Sequence, residues 1–243
     1  MFWKGALLLL GCLSMLAAAR GNAPCHRQEQ DPPPKASDCA RCHGDVHAEW
    51  LDSAHARAFT DPVFQQQLSG CAEPERCLPC HVPAAVLDRL GRMPQARKTQ
   101  HNEGVTCVAC HQSSQGMHGP SGIATSAHPT VKDATFRRRG SYGLCRSCHD
   151  MRIADVLPLA REFERGGLAL DDSSCVGCHM TTAARAGAGP FAGEPAVPRR
   201  GRSHRLLGPS DAEFCGSGFL FRVERRDGKL GLILTNEIGR AHV

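Results

Sequence analysis

The chain has 243 residues, with 29 Lys and Arg against 24 Asp and Glu, and it carries 14 Cys and 13 His. One Tyr, two Trp and nine Phe are a poor aromatic supply for the core of a domain this size, which argues against packing by side chains alone. The formal charge of +5 describes the polypeptide only and is revised below.

The first residues combine a basic start at Lys4, an apolar run from Ala6 to Leu16 and the small residues Ala17, Ala18 and Ala19. That pattern predicts a secretory signal peptide over 1–19, too short and wrongly flanked for a membrane span. Leu9-Leu10-Gly11-Cys12 loosely resembles a lipobox, so a lipid anchor at Cys12 is the alternative, although the apolar run continues past Cys12. Export places the chain in the bacterial periplasm or outside, where nucleic acid is not an expected partner. Residues 20–37 are polar and Pro-rich, a flexible lead-in.

A C-x-x-C-H unit then appears at Cys39–His43 and returns at Cys77–His81, Cys107–His111, Cys145–His149 and Cys175–His179. Random placement of 14 Cys and 13 His predicts about 0.04 copies, so five copies are not chance. Two thiols three apart form thioethers to one haem, and the adjacent His ligates its iron. The unit assigns five covalent haems of the c type. Cys39 and Cys42 hold the first, Cys77 and Cys80 the second, Cys107 and Cys110 the third. Cys145 and Cys148 hold the fourth, Cys175 and Cys178 the fifth. Axial ligands are His43, His81, His111, His149 and His179. Structural zinc would need two C-x-x-C pairs per site and no trailing His. Haem also resolves the aromatic shortage, because each macrocycle is a large apolar body. Its two propionates add about ten negative charges over five haems, partly offset by the irons. Arg137, Arg138 and Arg139 read as propionate partners or as a solvated basic loop.

Between the units the patterns are short. Asp45–Phe59 has a helical period and predicts a helix carrying His47 and His55 two turns apart. Asp61-Pro62 predicts a capped helix to about Leu68. Ala84–Leu90 predicts another short helix, 91–104 a loop, and the region after His111 a Gly/Ser/Pro loop to about Thr130. Met151–Arg165 reads as helix broken near Pro158. Residues 38–182 form the expected pentahaem domain. The stretch 183–202 is an Ala/Gly/Pro linker, and 203–243 a tail. Within the tail, Gly218–Glu224 and Lys229–Thr235 flank Arg226-Asp227-Gly228, a hairpin signal. One hairpin alone is marginal, so it either docks on the haem core or begins a larger, truncated β-domain. The expected fold class is mainly α with little regular structure, wrapped around stacked haems.

Each iron has a second axial position, and eight further His are present: His26, His47, His55, His101, His118, His128, His204 and His242. His55, His118, His204 and His47 are the leading candidates as distal ligands, with exposed surface imidazoles as the competing reading. Met93, Met117, Met151 and Met180 are a minority option. With Cys12 leaving in the signal peptide, Cys25, Cys71 and Cys215 remain outside the motifs and allow at most one disulfide and one free thiol.

CARCHGDVHAEWLDSAHARAF, with Trp50 and the Ser53-Ala54-His55-Ala56 run, resembles the cytochrome c-554/c-prime family of multihaem cytochromes. EGVTCVACHQSSQGMHGP, from Glu103 to Pro120, resembles the same group, and SCVGCHM resembles the last haem unit of many multihaem respiratory proteins. His204 to Gly208 and Asn236 to His242 resemble a tail that continues in related proteins into further strands. The resemblance implies closely packed, mostly bis-His haems, with His55 and His118 as distal ligands. Five motifs depart from the tetrahaem pattern. The expected role is electron transfer between a quinol-linked donor and a terminal reductase. The alternative is a reductase or oxidoreductase of nitrite, hydroxylamine or tetrathionate at one open haem. Against it, no C-x-x-C-K unit is present and Tyr142 is the one Tyr available for a crosslink.

Overall fold

Short helices carry the C-x-x-C-H units, and irregular chain joins them. The computed structural model describes residues 32–122, 127–137, 142–152, 158–165, 175–185 and 199–236. The signal segment, Cys12, Cys25, His26, Arg138, Arg139, the middle of the linker and His242 lie outside the described residues.

Helices α1 (Ala36–Ala40) and α2 (Gly44–Leu51) form around the first unit. Helix α2 ends well short of the predicted Phe59. The Ser53 hydroxyl donates to the Trp50 carbonyl at 2.6 Å and accepts from the Ala56 amide at 3.2 Å, diverting the chain into turns. His47 is therefore helical while His55 lies beyond the helix, and the two do not share a helix face.

Helix α3 (Pro62–Gly70) has the predicted cap: Asp61 accepts from the Val63 and Phe64 amides, with Pro62 at the first position. The second unit is α4 (Leu78–His81). The helix expected over Ala84–Leu90 does not form there. Pro83 bridges Ala96, the Val86 amide donates to Ala109, and only a 3-10 turn at Leu87–Arg89 remains. These bonds to distant carbonyls replace the local ones a helix would need.

Helix α5 (Cys107–His111) carries the third unit and runs into a small sheet. Strand β1 (Gln112–Ser113) pairs antiparallel with β2 (Gly116–Gly119), which pairs parallel with β3 (Thr130–Lys132). The predicted loop thus contains two strands, β1 and β2. Helices α6 (Tyr142–His149), α7 (Leu159–Arg165) and α8 (Cys175–His179) follow. Asp150 bonds both Arg146 at 2.8 Å and Arg161 at 3.0 Å, tying α6 to α7.

The ends of the predicted linker are not free. Strand β4 (Thr182–Arg185) pairs antiparallel with β5 (Arg199–Arg202). Helix α9 (Ala212–Ser217) precedes the hairpin of β6 (Phe219–Arg226) and β7 (Lys229–Asn236). Asp227 and Gly228 are its two turn residues, both with positive φ (52° and 75°), as a type I′ turn requires. Leu220, Phe221, Val223, Leu230 and Leu232 on this hairpin are each more than half exposed.

The buried apolar residues are mostly small: Ala36, Trp50 and Ala56 pack with Cys107, while Val82, Val108, Ala109, Ala160 and Val176 are buried elsewhere. Cys71 and Cys215 are both free thiols.

Candidate haem centres

In the motifs at Cys77, Cys107, Cys145 and Cys175, the second Cys and the His fall in a helical turn. Residues three and four apart then share a face, so both thiols and the imidazole address the same side.

The donor chemistry of these imidazoles fits an iron ligand. Nδ1 of His81 donates to the Ala58 carbonyl at 2.5 Å, Nδ1 of His111 to the His118 carbonyl at 2.8 Å, and Nδ1 of His179 to the Leu207 carbonyl at 2.5 Å. A proton fixed on Nδ1 leaves the Nε2 lone pair free for a metal. Burial pushes His81, His111 and His149 below the ordinary imidazole range, which keeps the ligating form neutral. Among the described residues, no cluster of three or more His, Cys, Asp or Glu assembles a metal cage.

The thiols of different motifs meet. Cys39 bonds Cys107, Cys80 bonds Cys148, and Cys145 bonds Cys175. Within each pair the shared thiol bond splits the acidities. It lowers Cys39 and Cys80, takes Cys175 to about 7, and raises Cys107, Cys148 and Cys145. Unit one therefore lies against unit three, unit two against unit four, and unit four against unit five.

Two of the predicted distal histidines face a motif histidine. The rings of His55 and His149 have centroids 6.2 Å apart, and those of His204 and His111 are 6.1 Å apart. Burial, reinforced by the charges of His149 and His179, takes His55 down to about 4. Nδ1 of His204 donates to the Arg202 carbonyl at 3.0 Å, and its backbone amide donates to Glu49 Oε2 at 2.7 Å. His118 is held differently. Nδ1 donates to Asp133 at 2.7 Å, and Nε2 accepts from the Ser113 hydroxyl at 2.5 Å. His47 packs on Trp50 with centroids 5.5 Å apart. His101 donates Nε2 to the Arg97 carbonyl at 2.8 Å, which occupies the nitrogen a ligand would use. His43 acts electrostatically on His111, consistent with the closeness of units one and three.

Sequence reasoning missed several participants. Phe64 stacks on His81 with centroids 3.7 Å apart and planes 8° from parallel. Phe136 stacks on His111 at 4.7 Å and 16°, and Phe214 meets His179 at 5.0 Å and 52°. Arg97 is buried between the second and third motifs, donating to the carbonyls of Pro83, Gln100 and Gly104 at 2.9, 3.1 and 2.8 Å. No periodicity marks these residues. The sequence signal that could have found the three Phe is that each lies three positions after a capping Asp.

Residues 38–112 match the family described as cytochrome c554 and c-prime, a span that contains the first three motifs. No curated protein sequence matches the chain. The fold is similar to that of a penta-heme cytochrome c552 from Thermochromatium tepidum, with a TM-score of 0.54 and 19% identity over 83% of this chain. The chain spans 64% of the length of that cytochrome. The chain is therefore similar to the cytochrome c554 and c-prime family over its first three motifs, and similar in fold to a penta-heme cytochrome over most of its length.

Proposed function

We propose that the protein is a periplasmic pentahaem electron carrier whose haems are closely spaced and mostly bis-His. The carrying observation is the pair of imidazole separations, 6.2 Å for His55 and His149 and 6.1 Å for His204 and His111. With a metal–nitrogen bond of ~2.0–2.1 Å and a ring centroid ~1.1 Å behind the nitrogen, trans imidazoles on one metal have centroids ~6.3 Å apart. His55 would then hold the fourth haem's iron from its second side and His204 that of the third. His118 and His47 are the remaining candidates for other units. Asp133 would orient His118 through Nδ1, once Nε2 leaves the Ser113 hydroxyl.

Haem supplies a one-electron iron couple and a conjugated edge for transfer. The chain's contribution is positioning. Carbonyls hold His81, His111 and His179 in one tautomer, burial favours the neutral form of His81, His111 and His149, and the thiol contacts bring unit one to three, two to four and four to five. The five motifs, the signal-like leader and the penta-heme cytochrome of similar fold support a count of five and an exported location. Among the described residues, no helix is long and apolar enough to cross a membrane. Redox proteins, a quinol-linked donor and a terminal reductase, are the partners this reading calls for.

A second reading has one specific support. Among the described residues no imidazole faces His81 as His55 faces His149, the condition an open iron needs for a nitrite, hydroxylamine or tetrathionate reductase. Low-temperature electron paramagnetic resonance on the holoprotein, after a mass measurement of five haems, separates the two. Low-spin ferric signals alone are expected of the carrier. A high-spin signal that changes with nitrite or hydroxylamine supports the enzyme.

A further inference from the structure

The sequence contains three Asp-x-x-Phe tetrads: Asp61–Phe64, Asp133–Phe136 and Asp211–Phe214. Each Asp is the N-cap of a short helix, and its carboxylate accepts from the backbone amides of the first turn. Asp61 takes Val63 at 2.9 Å and Phe64 at 3.1 Å, Asp133 takes Thr135 at 2.8 Å, and Asp211 takes Phe214 at 2.7 Å. A cap of this kind fixes the backbone of the first turn, and so the direction of the side chain at its third position. In all three cases that side chain is Phe, and in all three it lies against a motif histidine: Phe64 on His81, Phe136 on His111 and Phe214 on His179.

We infer that the Asp-x-x-Phe tetrads are ring clamps that set the plane of the axial imidazoles in the second, third and fifth haem units. Each clamped ring is held twice. Its Nδ1 hydrogen bond to a carbonyl fixes the tautomer and one edge, and the Phe ring, stacked face to face on His81 and His111 and tilted by 52° against His179, hinders rotation about the bond from the side chain to the ring. The carbonyls come from the same neighbourhoods as the caps. Ala58 precedes Asp61 by three residues, and Leu207 precedes Asp211 by four. The third acceptor, His118, itself bonds Asp133. The orientation of an imidazole plane against the porphyrin nitrogens splits the iron d orbitals. A clamp would therefore act on the spectrum and potential of its own haem through the ligand. Phe64, Phe136 and Phe214 are positioning residues in this sense.

The inference rests on the haem assignment of the motifs, and the test separates the two. Holoprotein carrying Phe136→Leu keeps an apolar side chain and loses the flat face. Its expected result is a shift in the largest g value of one low-spin ferric signal, with the others unmoved. Phe136→Tyr restores that signal. Phe64→Leu and Phe214→Leu each move a different haem. Phe163 meets Tyr142 and no motif histidine, so Phe163→Leu serves as the packing control and lowers Tm with spectra unchanged. If the three clamp variants behave like Phe163→Leu, or if each moves all haem signals together, the inference is wrong. If Phe136→Leu does not accumulate, Phe64→Leu and Phe214→Leu decide it. A mass showing no haem at these motifs would instead remove the haem assignment itself.

Discussion

Glu49 and His204 are 155 positions apart, yet one hydrogen bond joins the Glu49 carboxylate to the His204 backbone amide at 2.7 Å. Nothing in either local sequence announces this, because the two residues share neither period nor motif. Ala in place of Glu49 removes the acceptor and loosens the segment that holds His204 opposite His111, and Gln retains an acceptor. The expected outcome is a high-spin fraction in the absorption and paramagnetic resonance spectra of Glu49→Ala, and little change in Glu49→Gln. Arg97 acts at the same scale. It is 5% exposed, and burial lowers its pKa, with Glu103 opposing. Among the described residues no carboxylate lies within ion-pair distance of it. A guanidinium remains charged even there. A fixed positive charge favours the reduced, less positive iron. At ~10 Å and an effective dielectric of ~20, that bias is roughly tenfold, or about 60 mV for one electron. Spectroelectrochemical titration of Arg97→Gln is expected to show one haem transition lowered by about that much, and Arg97→Lys a smaller change. Equal shifts in both variants would assign Arg97 a purely structural role.

At the scale of elements, the sequence was readable where a local signal had no competitor. The Asp61-Pro62 cap and the Asp227-Gly228 turn both form as their chemistry predicts. The patterns failed where distant backbone groups won. Asp45–Phe59 has a helical period, but the Ser53 hydroxyl bonds Trp50 and Ala56, and the His55 carbonyl accepts from the Val105 amide at 2.8 Å. Ala84–Leu90 was drawn off by Gln95 and Ala109. The ends of an Ala/Gly/Pro stretch paired as β4 and β5, a non-local match that composition does not reveal. Gly104 shows how tightly the His55 segment is docked. Its φ is 57°, and an added Cβ would collide with the His55 carbonyl oxygen and lie 2.7 Å from that of Ala56. The Trp50 indole secures the same junction by donating to the Val105 carbonyl at 2.8 Å. Gly104→Ala is therefore expected to cost about 2–3 kcal/mol, seen as a Tm lower by roughly 5–10 °C. The same variant displaces His55, so the spectrum of the fourth haem changes with it. A variant with unaltered Tm and spectrum would mean that the loop yields without strain.

For the whole molecule, the decisive quantity is how little the polypeptide buries by itself. Among the described residues the buried hydrophobic side chains are Ala and Val plus Trp50, and Ala36, Trp50 and Ala56 cluster with Cys107. Phe64, Phe136 and Phe214 are placed against motif histidines, and Phe221 is exposed on β6. The composition announced this shortage, and the motifs point to haem as the body that would fill it. They left open the order of the units, because a thiol contact such as Cys80 with Cys148 depends on chain that closes long loops. Apolar burial is the main term opposing conformational entropy, so removing the macrocycles leaves that entropy without an adequate counterweight. A chain with all ten motif cysteines changed to Ser cannot hold haem through thioethers. It is expected to lose cooperative thermal unfolding and to expand toward the ~50 Å radius of gyration of an unfolded chain of this length, against ~18 Å when folded. Small-angle scattering beside calorimetry reads both. A compact chain with a sharp transition would show that the polypeptide, and not the haems, forms the core.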